Sequence, residues 1–495
     1  MQDLTTPAES ELAGATLQAG FDDEINEVVR ALRRAVDAMV GLDCSFEERE
    51  RAALSIGNEA QRRLLEDELQ SIVEAHGVEL LIDGELYRKH RPGARDYASL
   101  CGALRVSRCT YRLAGVRNGP TVVPLEMQAG LMEGATPAMA YRVALGYAKE
   151  HSRGLEEDLR ASHRVPPSRT KLEKICPRGS DGERRRRRPA SRPVFVQNER
   201  LPEDVAGISI GLDRTAVPME EARAEGVAPK TQRKARTKPY LRTPPGPVDV
   251  NYRMAYVGTV SLTDEYGEGL ATRRYAAIPS DGPDDMLHGM MGDVRNALRR
   301  NPQLRVGVVQ DGAPEMWNLV RASLKTAEVT EWLETIDRYH LNERLARVLK
   351  VIEPNPDARI PQLRAWHDEF DIDDQTIERI EATIVSAIKT CRGDGLVVLE
   401  DNATFIGNNK DRMRYVALGE AGRPVSSGAT KGACRYVIGE RAKRASRRWH
   451  EDGLEAALAL RSIYCSDRLP RFFVHLQRCY SAEIREADWS NEPAA

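Results

Sequence analysis

Asp213 and Asp311 each stand at the end of an apolar run. Val205-Ala206-Gly207-Ile208-Ser209-Ile210-Gly211-Leu212 leads into the first, and Leu304-Arg305-Val306-Gly307-Val308-Val309-Gln310 leads into the second. A run that is apolar on both faces and bounded by turn residues reads as a buried central strand. A carboxylate at the tip of such a strand is costly to bury unless something positive meets it, so each Asp has either a structural cationic partner or a metal ion. Taken singly, either one reads as a turn or helix-cap residue. Two strand-end aspartates in one sheet are the usual way an α/β fold gathers metal ligands along one edge.

The elements that must position them follow from periodicity. After the Asp213 strand come two alternating runs, Met254 to Leu262 and Leu270 to Ile278, joined through Asp264-Glu265-Tyr266-Gly267 as a hairpin. Asp284 to Arg300 is an amphipathic helix, the Asp311 strand follows, Pro314 to Leu324 is a helix, and Glu334 to His340 is a short strand feeding a helix through Leu349. The order β, hairpin, α, β, α, β is that of a ribonuclease H-like α/β core. In such a core, acids on the first and fourth strands and one on a late helix hold two divalent metals. Residues 351–417 read as a helical insertion, broken at Gly393 to Gly395, and Glu451 to Cys465 and Arg468 to Tyr480 as closing helices.

A chain of 495 residues is too long for a single core and suggests two to four domains. The expected division is a helical lead-in over 1–77, a small β-unit over 78–123, a helical segment over 124–180, a basic linker over 181–202, the core over 203–350 and 418–450 around the insertion, and C-terminal helices from 451. No apolar stretch approaches membrane-spanning length and the N-terminus lacks a signal-peptide pattern, so a cytoplasmic protein is expected. Eight scattered cysteines without a C-x-x-C pair argue against zinc and for reduced thiols. A net charge of -2 excludes a uniformly basic surface, so any nucleic-acid site must come from local clusters.

Four such clusters stand out. Pro167-Ser168-Arg169-Thr170 opens the last of three short helices, which suit a helix-turn-helix reader with Arg169 and Lys171 near phosphates or base edges; a plain helical bundle fits the same pattern. Arg184 to Arg188 is a run of five arginines, among them Arg184, Arg186 and Arg188, which is either solvated or a phosphate contact. A second basic stretch between Lys230 and Arg242 reads as an exposed loop. Arg435, Arg441, Lys443, Arg444, Arg447, Arg448 and Trp449 read as a dense basic helix, either a DNA-end track with Trp449 stacked on a base or a solvated face with Trp449 in the core.

Four segments carry a family resemblance: Gly211 to Glu220, Gln310 to Leu319, Ile336 to Glu343 and Asn408 to Tyr415. They resemble bacterial insertion-sequence transposases of the ISKra group, over most of the chain from about Val78 to Leu476. The resemblance implies an Asp-Asp-Glu transposase with DNA as partner, Mg²⁺ or Mn²⁺ as cofactor, and a homodimer that brings two ends of the mobile element together. By position Asp213 and Asp311 match the first two catalytic, metal-holding acids, and Asp337 and His340 match an Asp-x-x-His element that reads as a supporting carboxylate-imidazole pair.

The third acid departs from the pattern. The family writes Gly-Ser-Gly-x-x-Glu where the last core helix begins, and this chain has Ser426-Ser427-Gly428-Ala429-Thr430-Lys431. An acid is also what the first turn of a helix favours, so a lysine is the wrong sign there. Neither Glu440, on the opposite face, nor Glu420, ahead of the helix, is a convincing substitute. In an intact relative, two metals about 4 Å apart would activate the attacking water or 3′-OH and stabilise the leaving oxygen during DNA transposition and recombination. An ammonium would repel the second cation. The expectation is a transposase-like fold with DNA binding and impaired strand transfer; a non-catalytic remnant or repressor, or a nuclease on the same fold, are the alternatives.

Overall fold

The computed structural model describes residues 7–176, 199–223, 248–444 and 447–487, with side chains from residue 23 onward. Arg184, Arg186 and Arg188, and the stretch from Lys230 to Arg242, lie outside the described residues. The chain divides into two compact units. Met1–Gly146, His151–Cys176 and Gln477–Ala495 form one; Tyr147–Glu150 and Pro177–Leu476 form the other.

The first unit opens with α1 (Pro7–Val40) and α2 (Phe46–Glu74). Ser45 starts α2 with a reciprocal cap, its hydroxyl accepting from the Glu48 N–H while the Glu48 carboxylate accepts from the Ser45 N–H. There follow β1 (Glu79–Ile82), β2 (Glu85–Ser99), β3 (Gly102–Leu113) and β4 (Thr121–Val122). The expected Asp-Gly turn between β1 and β2 has both residues left-handed, Asp83 at φ 49° and Gly84 at φ 83°. Tyr97, Leu104 and Val106 of this sheet are buried with Leu69 of α2. The strand order includes one member that periodicity did not reveal. The C-terminal strand Ile484–Glu486 pairs antiparallel with β1, and three residues are too few to show a period. The segment expected to hold three helices holds α3 (Pro124–Gln128), α4 (Pro137–Lys149), α5 (Ser152–Ala161) and α6 (Arg169–Ile175).

The second unit is built on β5 (Gly207–Ala222), β6 (Val248–Thr263), β7 (Gly269–Ala277), α7 (Asp284–Arg300), β8 (Arg305–Gln310), α8 (Pro314–Thr326), β9 (Leu333–Ile336) and α9 (Arg338–Ile352). The sheet order is β7-β6-β5-β8-β9, antiparallel across β7-β6-β5 and parallel across β5-β8-β9. Strand, hairpin, helix, strand, helix, strand is the succession read from the sequence. Ile208, Ile210 and Leu212 of β5 join the main core with Met290 and Val294 of α7 and Val320 of α8. Alternation along the strand turns Gly211 and Asp213 to the other face.

The insertion is helical: α10 (Pro356–Glu369), α11 (Thr376–Thr390), α12 (Asp394–Asn409), a 3-10 turn at Lys410–Arg412 and α13 (Tyr415–Glu420). Gly393, left-handed at φ 66°, makes the break before α12. The chain then returns to the sheet with α14 (Gly428–Ala433), a π-helical turn at Cys434–Gly439, and α15 (Glu440–Ala442), and finishes this unit with α16 (Glu451–Cys465) and α17 (Leu469–Tyr480). Among the described residues no helix is long and apolar enough to cross a membrane.

Two expectations are corrected. β5 does not stop at Asp213 but runs on to Ala222, because β6 remains its partner as far as Val248 after β8 has ended. The expected basic helix up to Trp449 ends at Ala442; the Arg447 N–H donates to the Arg444 carbonyl at 3.1 Å, and Trp449 forms a β-bridge with Met219.

Candidate functional site

Register places the acids. Residues of β8 are numbered 98 above their β5 partners, and residues of β9 are 26 above their β8 partners. The observed pairing ends at Ile210–Val308 between β5 and β8 and at Gln310–Ile336 between β8 and β9, so Asp311 and Asp337 each follow the last paired residue of neighbouring strands, and Asp213 lies three residues beyond the last β5 residue paired with β8. The Asp337 N–H extends the β8–β9 pairing by donating to the Gln310 carbonyl at 2.7 Å. Each of the three side chains is engaged differently.

Asp213 is half-buried, in mid-strand. Its Oδ1 accepts the Arg214 N–H at 2.6 Å and its Oδ2 accepts the Cys434 thiol at 3.3 Å. Burial, together with the Asp213 charge, pushes the Cys434 thiol well above its usual range, so the sulfur keeps its proton and serves as a donor. Thr430, four residues before Cys434, meets the same face, its hydroxyl 2.7 Å from that of Thr259. Gly211 is what lets α14 come so close: a Cβ there would lie 1.9 Å from the Thr430 Oγ1. Asp311 is half-buried in the turn after β8, its Oδ1 accepting the Ala313 N–H at 2.9 Å just ahead of α8.

Asp337 is fully buried and caps α9. Its carboxylate accepts the His340 N–H at 3.2 Å, the His340 Nδ1 at 2.7 Å and the Ser427 N–H at 2.8 Å. The Lys431 Nζ stands 3.2 Å from Oδ2 as an ion pair. It lies 3.2 Å from the centroid of the Tyr339 ring, buried and without hydrogen-bond alignment. Burial raises the Asp337 carboxyl, but the His340 and Ser427 hydrogen bonds and the Lys431 charge outweigh it and hold the group far below the usual carboxylate range. The bond to Asp337 raises the His340 imidazole against burial and the Lys431 charge, and Asp311 adds to the rise. The supporting pair expected at Asp337 and His340 is thus present, with Lys431 as its third member.

The remaining acids weighed for the third position are occupied elsewhere. Glu440 pairs with Arg461 at 2.7 Å, and Glu420 is exposed at the end of α13. Among the described residues no group of three or more His, Cys, Asp or Glu could hold a metal ion. The donor set therefore does not fit a two-metal centre as the chain is written: the carboxylate nearest the expected third position already has an ammonium against it.

The basic residues divide by exposure. Lys443 is exposed and its Nζ donates to the Thr215 hydroxyl, two residues beyond Asp213 on the same face of β5. Arg448 is exposed, 3.8 Å from Glu220. Arg447 is half-buried, bonded to the Arg441 carbonyl and 3.5 Å from Glu150. Two expected contacts are placed inside instead. Arg441 is buried, donating to the Tyr147 carbonyl at 2.9 Å and lying 4.7 Å over the Trp449 ring. Trp449 packs on the cluster around Val217 and Met219, its indole N–H donating to the Ala442 carbonyl at 3.1 Å, so its ring is not presented for stacking on a base. In the first unit Arg169 is paired with Glu156 at 3.3 Å. Lys171 reaches the Glu133 carbonyl at 3.3 Å, and burial lowers its ammonium.

Sequence reasoning missed Cys434, Thr430 and Ser427 as groups of this site. The spacing of Thr430 and Cys434 was the available signal, since residues four apart on a helix share a face.

No family model and no curated protein matches the chain. Among solved structures it is similar to the Drosophila P element transposase strand transfer complex, at 11% identity and a TM-score of 0.25, over 70% of this chain and 83% of that one. A likeness that slight bears on neither fold nor function.

Proposed function

We propose that the chain is a transposase-like DNA-binding protein on a ribonuclease H-like core, impaired in strand cutting and joining because Lys431 stands in place of the third acid. The observation that carries this reading is the Lys431 ammonium held on Asp337 at the end of β9, next to the end of β8 where Asp311 stands. The motif resemblance to ISKra-group transposases supports the choice of DNA as substrate. Exposed Lys443 beside Asp213, with Arg448 further along β5, supplies phosphate contacts along that face. In this reading the protein occupies the ends of a mobile element as a dimer. Mg²⁺ or Mn²⁺ would serve only a form in which position 431 is again an acid.

The test is fluorescence anisotropy with duplex DNA at rising salt in the presence of a chelator. The reading expects binding without divalent metal, weakening with salt along a log–log slope of about -3 or steeper. Binding that needs Mg²⁺, or none at low salt, would sink it.

A further inference from the structure

Between α8, α9 and α12 lies a cleft of about 490 Å³, with Asp311 on its lining. That volume is within the ordinary range for a site that takes one small molecule. Its walls are built from guanidinium planes held over aromatic rings: Arg321 and Arg412 over Trp317, at 5.8 and 5.0 Å, and Arg344 over Phe405 at 3.9 Å. The planes are fixed from behind. Glu334 takes Arg321 at 2.5 Å and Arg412 at 2.7 Å, and Asp401 takes Arg344 at 3.1 Å.

Two features say what would enter. Those two carboxylates and Asp311 on the lining offset the three arginine charges, so the cleft is made for a flat and nearly neutral group, not for a phosphate. Its hydrogen-bonding capacity is also unspent. The side chains of Asn318, Thr404 and Asn408 on the lining are exposed and have no partner among the described residues. Ring faces that stack on guanidinium and edges that meet amides describe a nucleobase.

We propose that this cleft is a nucleobase subsite. It rests on the reading above in one respect: a DNA strand bound by the chain would put an unpaired base into the cleft. A free nucleotide offers the same base chemistry from a different source.

The test uses the full chain, with Thr404→Trp and Asn408→Trp as two separate exposed substitutions that fill the cleft. A labelled single-stranded oligonucleotide and a labelled duplex are titrated by anisotropy, and adenosine and thymidine monophosphates by calorimetry. The expected result is a loss of about tenfold or more in single-strand binding in both variants, little change for the duplex, and one abasic position in the strand that costs as much. If mononucleotides bind and are lost in the variants while no DNA binds, the subsite stands with a free nucleotide as its source and the DNA reading falls. Unchanged single-strand and mononucleotide binding in both variants overturns the subsite and leaves the DNA reading intact. If the unaltered chain binds neither probe, both fall.

Discussion

Replacing Lys431 by Glu turns its ion pair with Asp337 into a repulsion. The ammonium lies 3.2 Å from a carboxylate that is fully buried, while its own side chain is 31% exposed. At an effective dielectric near 20, two unit charges at that separation interact by about 5 kcal/mol. A glutamate is shorter and can swing toward water, and Asp337 keeps its bonds from His340 and Ser427. The net loss is therefore smaller, about 3 kcal/mol, in line with the breaking of other buried pairs. In a unit of this size that is a fall in melting temperature of about 5 °C with chelator present. Two carboxylates facing each other would also make a cation site where the chain now has none. Divalent metal at about a hundred times its dissociation constant would return about 2.7 kcal/mol. Lys431→Met, which removes the charge without adding one, is expected to melt lower with no recovery. Scanning calorimetry of the three proteins with chelator and with Mg²⁺ checks this. A Lys431→Glu protein as stable as the parent in chelator, or one indifferent to Mg²⁺ and Mn²⁺, would refute the assignment of position 431 to the acidic site.

Other outcomes follow from the same packing. Gly211→Ala drives a methyl into the Thr430 hydroxyl and should cost about 3 kcal/mol in urea unfolding, and Thr430→Ala in the same chain should recover part of it; additive losses would show that the two residues do not meet. His340, its imidazole raised by Asp337, contributes stability that is complete below about pH 6.5 and is lost as pH rises through its folded value. His340→Gln should therefore flatten the decline in urea midpoint as pH rises above about 6.5, and an unchanged profile would contradict the pairing. Glu334 is held down to about 2 by Arg321 and Arg412 although burial opposes it, so its contribution is present above about pH 4.3 and fades as pH falls toward that value. Glu334→Gln should cost about 3 kcal/mol at neutral pH and nearly nothing near pH 2, read from denaturant midpoints across that range.

Much of this architecture was legible in the chain itself. The apolar runs before Asp213 and Asp311, the proline opening α8 and the glycine break before α12 are local signals, and each stands where its chemistry predicts. That Lys431 falls at the start of α14 was equally legible, because a helix start fixes which residue falls in its first turn. What could not be read depends on partners remote in sequence. Asp213 looked like a strand end because Arg214 and Pro218 break the apolar run, but β6 pairs through both and carries the strand onward. For Trp449 the sequence left stacking on a base and packing on the core both open, and its bridge to Met219 and its bond to Ala442 draw it inside. Arg441 sits in the same basic string, and only the fold shows that its guanidinium is spent on the Tyr147 carbonyl and the Trp449 ring. That Lys431 would find Asp337, rather than project into water, is likewise a fact of tertiary structure.

The most direct measurement is a nicking and joining assay on duplex carrying the element's own ends, run with Mg²⁺ and with Mn²⁺ at protein concentrations where binding is complete. The account predicts bound DNA that stays uncut by the chain as written, with cleavage appearing in the Lys431→Glu protein. Efficient cutting by the unaltered chain would contradict it.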